Sequence, residues 1–333
     1  MSTAPGDGGA AARERLRTEL FGWRQERPIV AEGRVAALRD QLETELAELG
    51  DDLDAAATAT GRRQLLVTKT RLDRLACDGW ALDPAPFEHT RANVRGTLVH
   101  KVLERELDAR GGEAPPAAVA VAAAWRELAA RQPGDPRSVS AWLNACPRDE
   151  ADDLRAEVAV LLDGFREVWP DLPPSAVVVR TEKRLDVTLA EGRIRLQGTL
   201  DVLLDSRTRD DRARALVVDF KTGIPRSDHD RAEVRFYALL SALATGRLPF
   251  RWATFYVTEG RPEVEDLHQA TLDATVRRVV DAVRQAARLA AVAGGRAEPQ
   301  LRGGLWCRGC LRQHDCDEAD RARRAYAANL SAG

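Results

Sequence analysis

Lysine is scarce in this chain: of fifty basic residues only Lys69, Lys101, Lys183 and Lys221 are lysine, so arginine is favoured wherever any cation serves. A lysine kept at a strand end therefore hints that a titratable amine is wanted there. No Gly-x-Ser-x-Gly elbow is present, so the chain carries no sign of that covalent route to hydrolysis. No Gly-x-x-x-x-Gly-Lys-Ser/Thr loop is present either, so any nucleotide-driven motor would be a partner. The chain shows no signal-peptide pattern and no apolar run of membrane length, which predicts a cytoplasmic protein with no membrane partner. Five cysteines, an odd count, argue against a disulfide framework and make clustered thiols metal ligands.

What is present suits a substantial core: 333 residues, 44% hydrophobic, without an internal repeat. The Gly/Ala/Ser-rich first dozen residues read as a mobile start. Apolar residues then recur at three or four from Ala11 to Arg24, and again from Val35 through Leu38, Leu42, Leu46, Leu49 and Leu53, marking amphipathic helices. Residues 113–168 also read as helices, with a break at Pro133-Gly134-Asp135-Pro136. Trp252 to Thr258 alternates as a strand, and 267–293 is a long Ala/Val/Leu/Arg helix. A net charge of −2 says little about nucleic acid, because binding depends on where charge lies. Arg193, Arg195, Arg226, Arg231, Arg235, Arg302, Arg308 and Arg312 cluster in sequence around two candidate sites, which suits a phosphate-tracking channel.

The first site centres on two acids. Residues 194–205 alternate, with Ile194, Leu196, Leu200, Val202 and Leu204 on one face and Arg195, Gln197, Thr199 and Asp201 on the other. Ala213 to Lys221 is a second apolar run, and the polar stretch 205–212 reads as a turn. A hairpin centred near 210 puts Asp201 opposite Asp219, with Cβ atoms roughly 4.5–5.5 Å apart, close enough to share a hard divalent cation. Lys221 falls on the same strand face as Asp219, beside any water at such a site.

Gln197-Gly198-Thr199-Leu200-Asp201 followed by Asp219-Phe220-Lys221-Thr222-Gly223, with Gly96-Thr97-Leu98-Val99-His100 about a hundred residues earlier, resembles the PD-(D/E)xK nuclease superfamily in its RecB-like branch. The resemblance covers about residues 65–320. It implies a restriction-endonuclease-like α/β core, a mixed central sheet flanked by helices. It also implies Mg²⁺ or Mn²⁺ held by His100, Asp201, Asp219 and the Phe220 carbonyl, with Lys221 as the catalytic amine. A further family element, Gln-hydrophobic-x-x-Tyr, aligns with Glu233-Val234-Arg235-Phe236-Tyr237, so Tyr237 matches and Glu233 stands where the family has glutamine. Glu182, on a strand before the hairpin, could also approach the metal but is assigned a structural or salt-bridging role.

The second site gathers three cysteines at Cys307, Cys310 and Cys316. Locally, Cys307, Cys310, His314 and Cys316 form a possible Cys₃His zinc set. Iron–sulfur members of the RecB-like family, including AddB nuclease domains and the CRISPR adaptation nucleases, resemble this chain in carrying one cysteine ahead of the core and Cys-x-x-Cys-x(5)-Cys after it. That resemblance implies a [4Fe-4S] cluster on Cys77, Cys307, Cys310 and Cys316. Trp80 and Trp306, each within three residues of a cluster cysteine, are read as shields for it.

The expected organisation is a helical segment with a flexible start at 1–64, the nuclease core at 65–293 with its helical insertion, and a linker with the C-terminal cysteine cluster at 294–333. The expected activity is a metal-dependent deoxyribonuclease, exonucleolytic or end-processing, acting on DNA in repair, recombination or defence beside a helicase partner. The alternatives from other classes are a catalytically silent DNA-binding subunit of a helicase–nuclease complex and a zinc-containing interaction module.

Overall fold

A computed structural model describes residues 7–59, 61–109, 114–131, 134–172, 177–206 and 212–331. The chain opens with helices α1 (Asp7–Glu19), α2 (Arg34–Ala47) and α3 (Gly50–Thr58), then strand β1 (Leu65–Val67) and short helices α4 (Lys69–Arg74) and α5 (Asp78–Leu82). Helices α6 (Arg91–Asp108), α7 (Ala117–Ala129), α8 (Val139–Ala145) and α9 (Arg148–Val168) follow. The sheet then forms from β2 (Val177–Leu189), β3 (Ile194–Ser206) and β4 (Ala215–Lys221), with helix α10 (Ser227–Thr245) leading to β5 (Pro249–Tyr256) and β6 (Arg261–Asp266). Helix α11 (Gln269–Ala293), two short 3₁₀ turns and α12 (Asp317–Ser331) complete it.

Contacts gather these elements into two units that interleave along the chain. One takes residues up to Glu32, Glu88–Arg184 and Thr199–His268; the other takes Gly33–Phe87, Leu185–Gly198 and residues from Gln269 onward. The first is α/β with a mixed sheet. Its strand β3 pairs with β2 and, antiparallel, with β4; β4 pairs parallel with β5, and β5 antiparallel with β6. Parallel pairing in mid-sheet explains why every residue of β5 is buried rather than alternating, because a strand covered on both faces has no solvent side. One face packs Val202, Leu204, Leu216, Val218 and Phe220 against residues of α6 and α9, and α10 contacts β4 and β5.

Helix α6 begins at a capping box in which Asn93 N–H donates to Thr90 Oγ1 (3.4 Å) and Thr90 N–H donates to Asn93 Oδ1 (3.0 Å). Its buried stripe, Val94, Leu98, Val102 and Leu103, fixes the rotation of the helix and so the direction of His100. Gly96 allows a close approach: a Cβ there would meet Thr222 Oγ1 at 3.3 Å.

In the second unit β1 pairs parallel with the start of β3, Leu65 with Ile194 and Val67 with Leu196. Helix α11 contacts α2 and α3 through a stripe that includes Leu272, Val276, Val279 and Val283. The leucine stripe expected as one helix is two, because Gly50 turns the chain at φ 37°. Helix α1 starts at Asp7, inside the stretch whose composition suggested a mobile start; its alanines favour helix over coil. The expected turn at 205–212 falls mostly on 207–211, outside the described residues. No helix among the described residues is long and apolar enough to cross a membrane.

Phe165, Trp169, Phe220 and Phe255 form one aromatic nucleus, with Phe165 stacked on Trp169 at 4.8 Å and edge-on to Phe220 at 5.8 Å and to Phe255 at 5.9 Å. Phe220 thereby anchors the end of β4 that carries the acids. Phe165→Ala should destabilise the fold by about 3–5 kcal/mol, read as a shift in urea midpoint.

Candidate functional site

The β3–β4 register is the one the two acids require: Val202 pairs with Val218, Leu203 with Val217 and Leu204 with Leu216. One step further along that ladder sets Asp201 opposite Asp219. The Phe220 N–H donates to Asp201 Oδ2 at 2.6 Å, tying the carboxylate to the opposite strand. His100 Nδ1 lies 3.2 Å from Asp201 Oδ1 and 4.0 Å from Glu182 Oε1. His100, Glu182 and Asp201 each present a ligand atom within 4.8 Å of the others; Asp219, expected as the third ligand, does not fall in that group, and Glu182 takes its place. Asp219, 2% exposed, turns Oδ2 to within 2.8 Å of Lys221 Nζ.

Lys221 Nζ also lies 2.5 Å from Glu233 Oε2, and His229 Nε2 is 3.0 Å from Glu233 Oε1. The glutamate standing where the family element has glutamine therefore ion-pairs with the lysine, a bond a neutral amide cannot supply. Tyr237 is buried, and burial together with the charges of Asp219, Asp201 and Glu233 pushes its phenol well above the ordinary range. Behind the site Arg95 Nη2 donates to the Thr222 carbonyl at 2.8 Å and Arg95 pairs with Glu157, fixing the backbone after Lys221.

Electrostatics mark the place as crowded with negative charge. Burial opposes ionisation of Asp201, but His100, the Phe220 N–H and Lys221 outweigh it and hold the carboxyl below its ordinary value. Burial likewise opposes a charge on His100, and the charge and hydrogen bond of Asp201, with Asp219 and Glu182 behind, outweigh it and raise the imidazole to about 9. Burial and Asp201 push Glu182 up to about 7, against the pull of His100. Glu182 also holds a left-handed φ of 43°, a strained backbone for a non-glycine residue. Two carboxylates and an imidazole converging on one point, with more acid than base around them, suit a hard divalent cation. The sequence allows Glu182 to approach the metal but favours a structural role; its place in the group comes from β2 pairing with β3, which no local pattern displays. His229 carried a findable signal, lying four residues before Glu233 on one helix face.

The second sequence-predicted site lies wholly in the second unit. Cys77, Cys307, Cys310 and Cys316 line one small cavity with Trp80 and Trp306, whose rings stack at 6.5 Å. Backbone N–H groups of Arg302 and Gly304 donate to the sulfurs of Cys77 and Cys307, each at 3.4 Å. Burial, with the three neighbouring thiols, raises the Cys310 thiol against a hydrogen bond from the Arg312 backbone. His314 is not among the residues lining the cavity.

A family profile described as the PD-(D/E)XK nuclease superfamily matches residues 69–317, three-quarters of the sequence and the span that holds both sites. The chain belongs to this superfamily. Among solved structures, a candidate exonuclease from Eubacterium rectale is similar at 12% identity, with 88% of this chain and 93% of that chain covered and a TM-score of 0.39. The structure of SSO0001 is similar at 17% identity, with 67% of this chain and 96% of that chain covered and a TM-score of 0.26. No curated protein matches the chain.

The arginines expected to form a phosphate channel are mostly engaged. Arg193, Arg195, Arg226, Arg231, Arg235 and Arg312 each form ion pairs, with Glu191, Asp186, Asp230, Glu263, Glu265 and Asp83 respectively. A guanidinium already matched to a carboxylate offers less charge to phosphate.

In the metal-free protein the His100 imidazole should titrate near pH 9, followed as its ring-proton shift by NMR. A group raised on folding adds stability that is whole below its ordinary value of 6.5 and is lost as pH climbs through about 9. Asp201→Asn should lower the His100 midpoint and flatten that loss.

Proposed function

We propose that the chain is a Mg²⁺- or Mn²⁺-dependent deoxyribonuclease of the RecB-like branch that hydrolyses phosphodiester bonds as an exonuclease or end-processing enzyme. The observation that carries this is the convergence of His100, Asp201 and Glu182, with Asp219 and Lys221 on the adjoining strand, in a chain of the nuclease superfamily. His100, Asp201, Asp219 and the Phe220 carbonyl would hold the cation, and Glu182 stands close enough to join them. When bound, the cation supplies relief of phosphoryl charge and acidifies water.

The chain's own residues do the rest. Lys221, fixed between Asp219 and Glu233, presents a localised positive charge that orients the attacking water and can exchange a proton at Nζ. His229 braces Glu233 and so keeps the ammonium from swinging away. The Phe220 N–H holds Asp201 in one orientation. The protonated imidazole at neutrality means that metal ligation must release a proton from His100, so affinity for the cation should rise with pH.

The cysteines of the second unit fit a [4Fe-4S] cluster better than the local zinc set, because Cys77 lines the cavity and His314 does not. The two backbone N–H donors suit thiolate sulfurs of such a cluster. Its role would be structural, joining position 77 to 307–316. DNA is the expected substrate, and a helicase a partner of the same pathway.

Asp219→Ala and Lys221→Ala should each lower Mg²⁺-dependent cleavage of end-labelled DNA by at least about a thousandfold at a temperature where circular dichroism shows both variants folded. Cleavage at wild-type rates by both would refute the assignment. Anaerobically purified protein should be brown and contain iron, and Cys77→Ser should bleach it. Colourless protein with one zinc, unaffected by Cys77→Ser, would instead favour the local Cys₃His set.

A further inference from the structure

The first unit contains a cavity of about 490 Å³ that the reading above does not use. That volume lies within the range of about 300–1,000 Å³ common for small-ligand sites. It opens where β3 ends and β4 begins, at Leu204–Ser206 and Arg214–Leu216, and is walled by the end of α1 and the chain running on to Arg27. Leu204 is three residues from Asp201 and Leu216 three from Asp219, so the cavity is offset by about 10 Å along the same strand pair and lies toward its opposite, apolar face.

Its lining joins two chemistries. Phe21, Trp23 and Phe250 give aromatic surface, and Trp23 is 51% exposed. Arg17, Arg24, Arg27 and Arg214 bring four guanidinium groups to the same space. Arg27 is fixed there: its Nη1 and Nη2 donate to the carbonyls of Gly22 (3.0 Å) and Phe21 (2.7 Å), and it lies 3.7 Å over the Phe250 ring centroid. Gly22 holds a left-handed φ of 56°, and a Cβ there would stand 2.6 Å from Arg27 Nη1. Burial and the charges of Arg251 and Arg214 lower the Arg27 pKa, as expected where cations are gathered.

Of the three acids at the cavity, Glu14 faces Arg17 at 3.4 Å and Asp205 pairs with Arg247, leaving Asp171 at the rim. Arg24 is exposed, holds a left-handed φ of 62°, and makes no ion pair among the described residues. An indole with an accessible face beside an uncommitted guanidinium and an apolar recess suits a flat π-system bearing phosphate.

We propose that this cavity is a second nucleic-acid subsite, binding one nucleotide unit with its base against Trp23 and the aromatic wall and its phosphate at Arg24 and Arg17. The proposal rests on the nuclease reading for its choice of ligand. A strand held at both places would be gripped at a point remote from the bond being cut, which favours successive cleavage over release.

The test uses the full-length Asp219→Ala protein, so that the strand survives, with a short single-stranded oligonucleotide carrying 5-iododeoxyuridine. Irradiation followed by peptide mapping should place a crosslink at Trp23 or Phe21. Trp23→Ala and Arg24→Glu, both at exposed positions, should each weaken oligonucleotide binding about fivefold or more, and Arg24→Glu should reduce the salt slope by about one. Competition by thymidine monophosphate would show that the cavity takes a free nucleotide; competition by oligonucleotide alone would show that it serves a strand; either supports the proposal. Crosslinks confined to residues around Asp219, with both variants binding as the parent does, would overturn it. So would displacement of the crosslink by an acidic, aromatic peptide but by no nucleotide. Wild-type cleavage with unaffected variants sinks this inference alone, whereas a Trp23 crosslink in a chain that never cleaves DNA sinks the nuclease reading alone.

Discussion

A single stretch of antiparallel pairing decides whether this chain has a reactive centre. Side chains on a strand alternate, so a slip of one residue between β3 and β4 would turn Asp201 away from Asp219. The register is held from the other face, where Val202, Leu204, Leu216 and Val218 are buried. Slipping would expose those groups to water, at roughly 1.5–3 kcal/mol for each side chain fully exposed. The hydrogen bond from the Phe220 amide to Asp201 adds a polar lock at the end of the ladder, and the Phe220 ring adds an apolar one through Phe165 and Phe255. The acids converge because the hydrophobic side of the same strands leaves them no alternative.

That convergence is electrostatically uphill. Asp201, Asp219, Glu182 and Glu233 surround one amine and one imidazole that can be charged, Lys221 and His100, with His229 on the outer side of Glu233. Glu182 shows the strain most openly, in a carboxyl raised to about 7 and a backbone at left-handed φ. Repulsion of this kind is what a bound divalent cation would relieve. The exchange of glutamine for Glu233 fits the same balance. It adds a negative charge that pairs directly with Lys221, so the amine is held more firmly.

How much of this was legible depended on distance along the chain. Asp201, Asp219 and Lys221 could be read because strand alternation and a short hairpin are local patterns, and the family profile later matched the span containing them. His100 needed a helix and a resemblance. Glu182 was undervalued because its neighbours come from strand pairing and from α6, neither visible in its own sequence surroundings. The ion pairs of the arginines were hidden for the same reason. Arg195 finds Asp186, Arg235 finds Glu265 and Arg312 finds Asp83, partners that only the folded chain supplies. The burial of every residue in β5 could not be inferred from alternation, since it follows from a parallel neighbour.

The cysteine region shows how protein contacts alone can bring distant stretches of chain together. Asp78, directly after Cys77, is fully buried and accepts hydrogen bonds from the Gln300 N–H (2.6 Å) and from the side chains of Gln285 and Arg288. A little further on, Leu311 N–H donates to the Asp83 carbonyl and Ala85 N–H to that of Gly309, at 3.0 and 2.9 Å. These bonds draw residues 77–85 against 300–312 with protein contacts alone. Most of the entropy of closing so long a loop is therefore met by folding, which leaves all four cysteines lining one small cavity. The buried Asp78 carboxylate thus anchors this corner of the second unit: it fixes the backbone from which Cys77 projects, and its loss would loosen residue 77 from the segment that carries the other three cysteines.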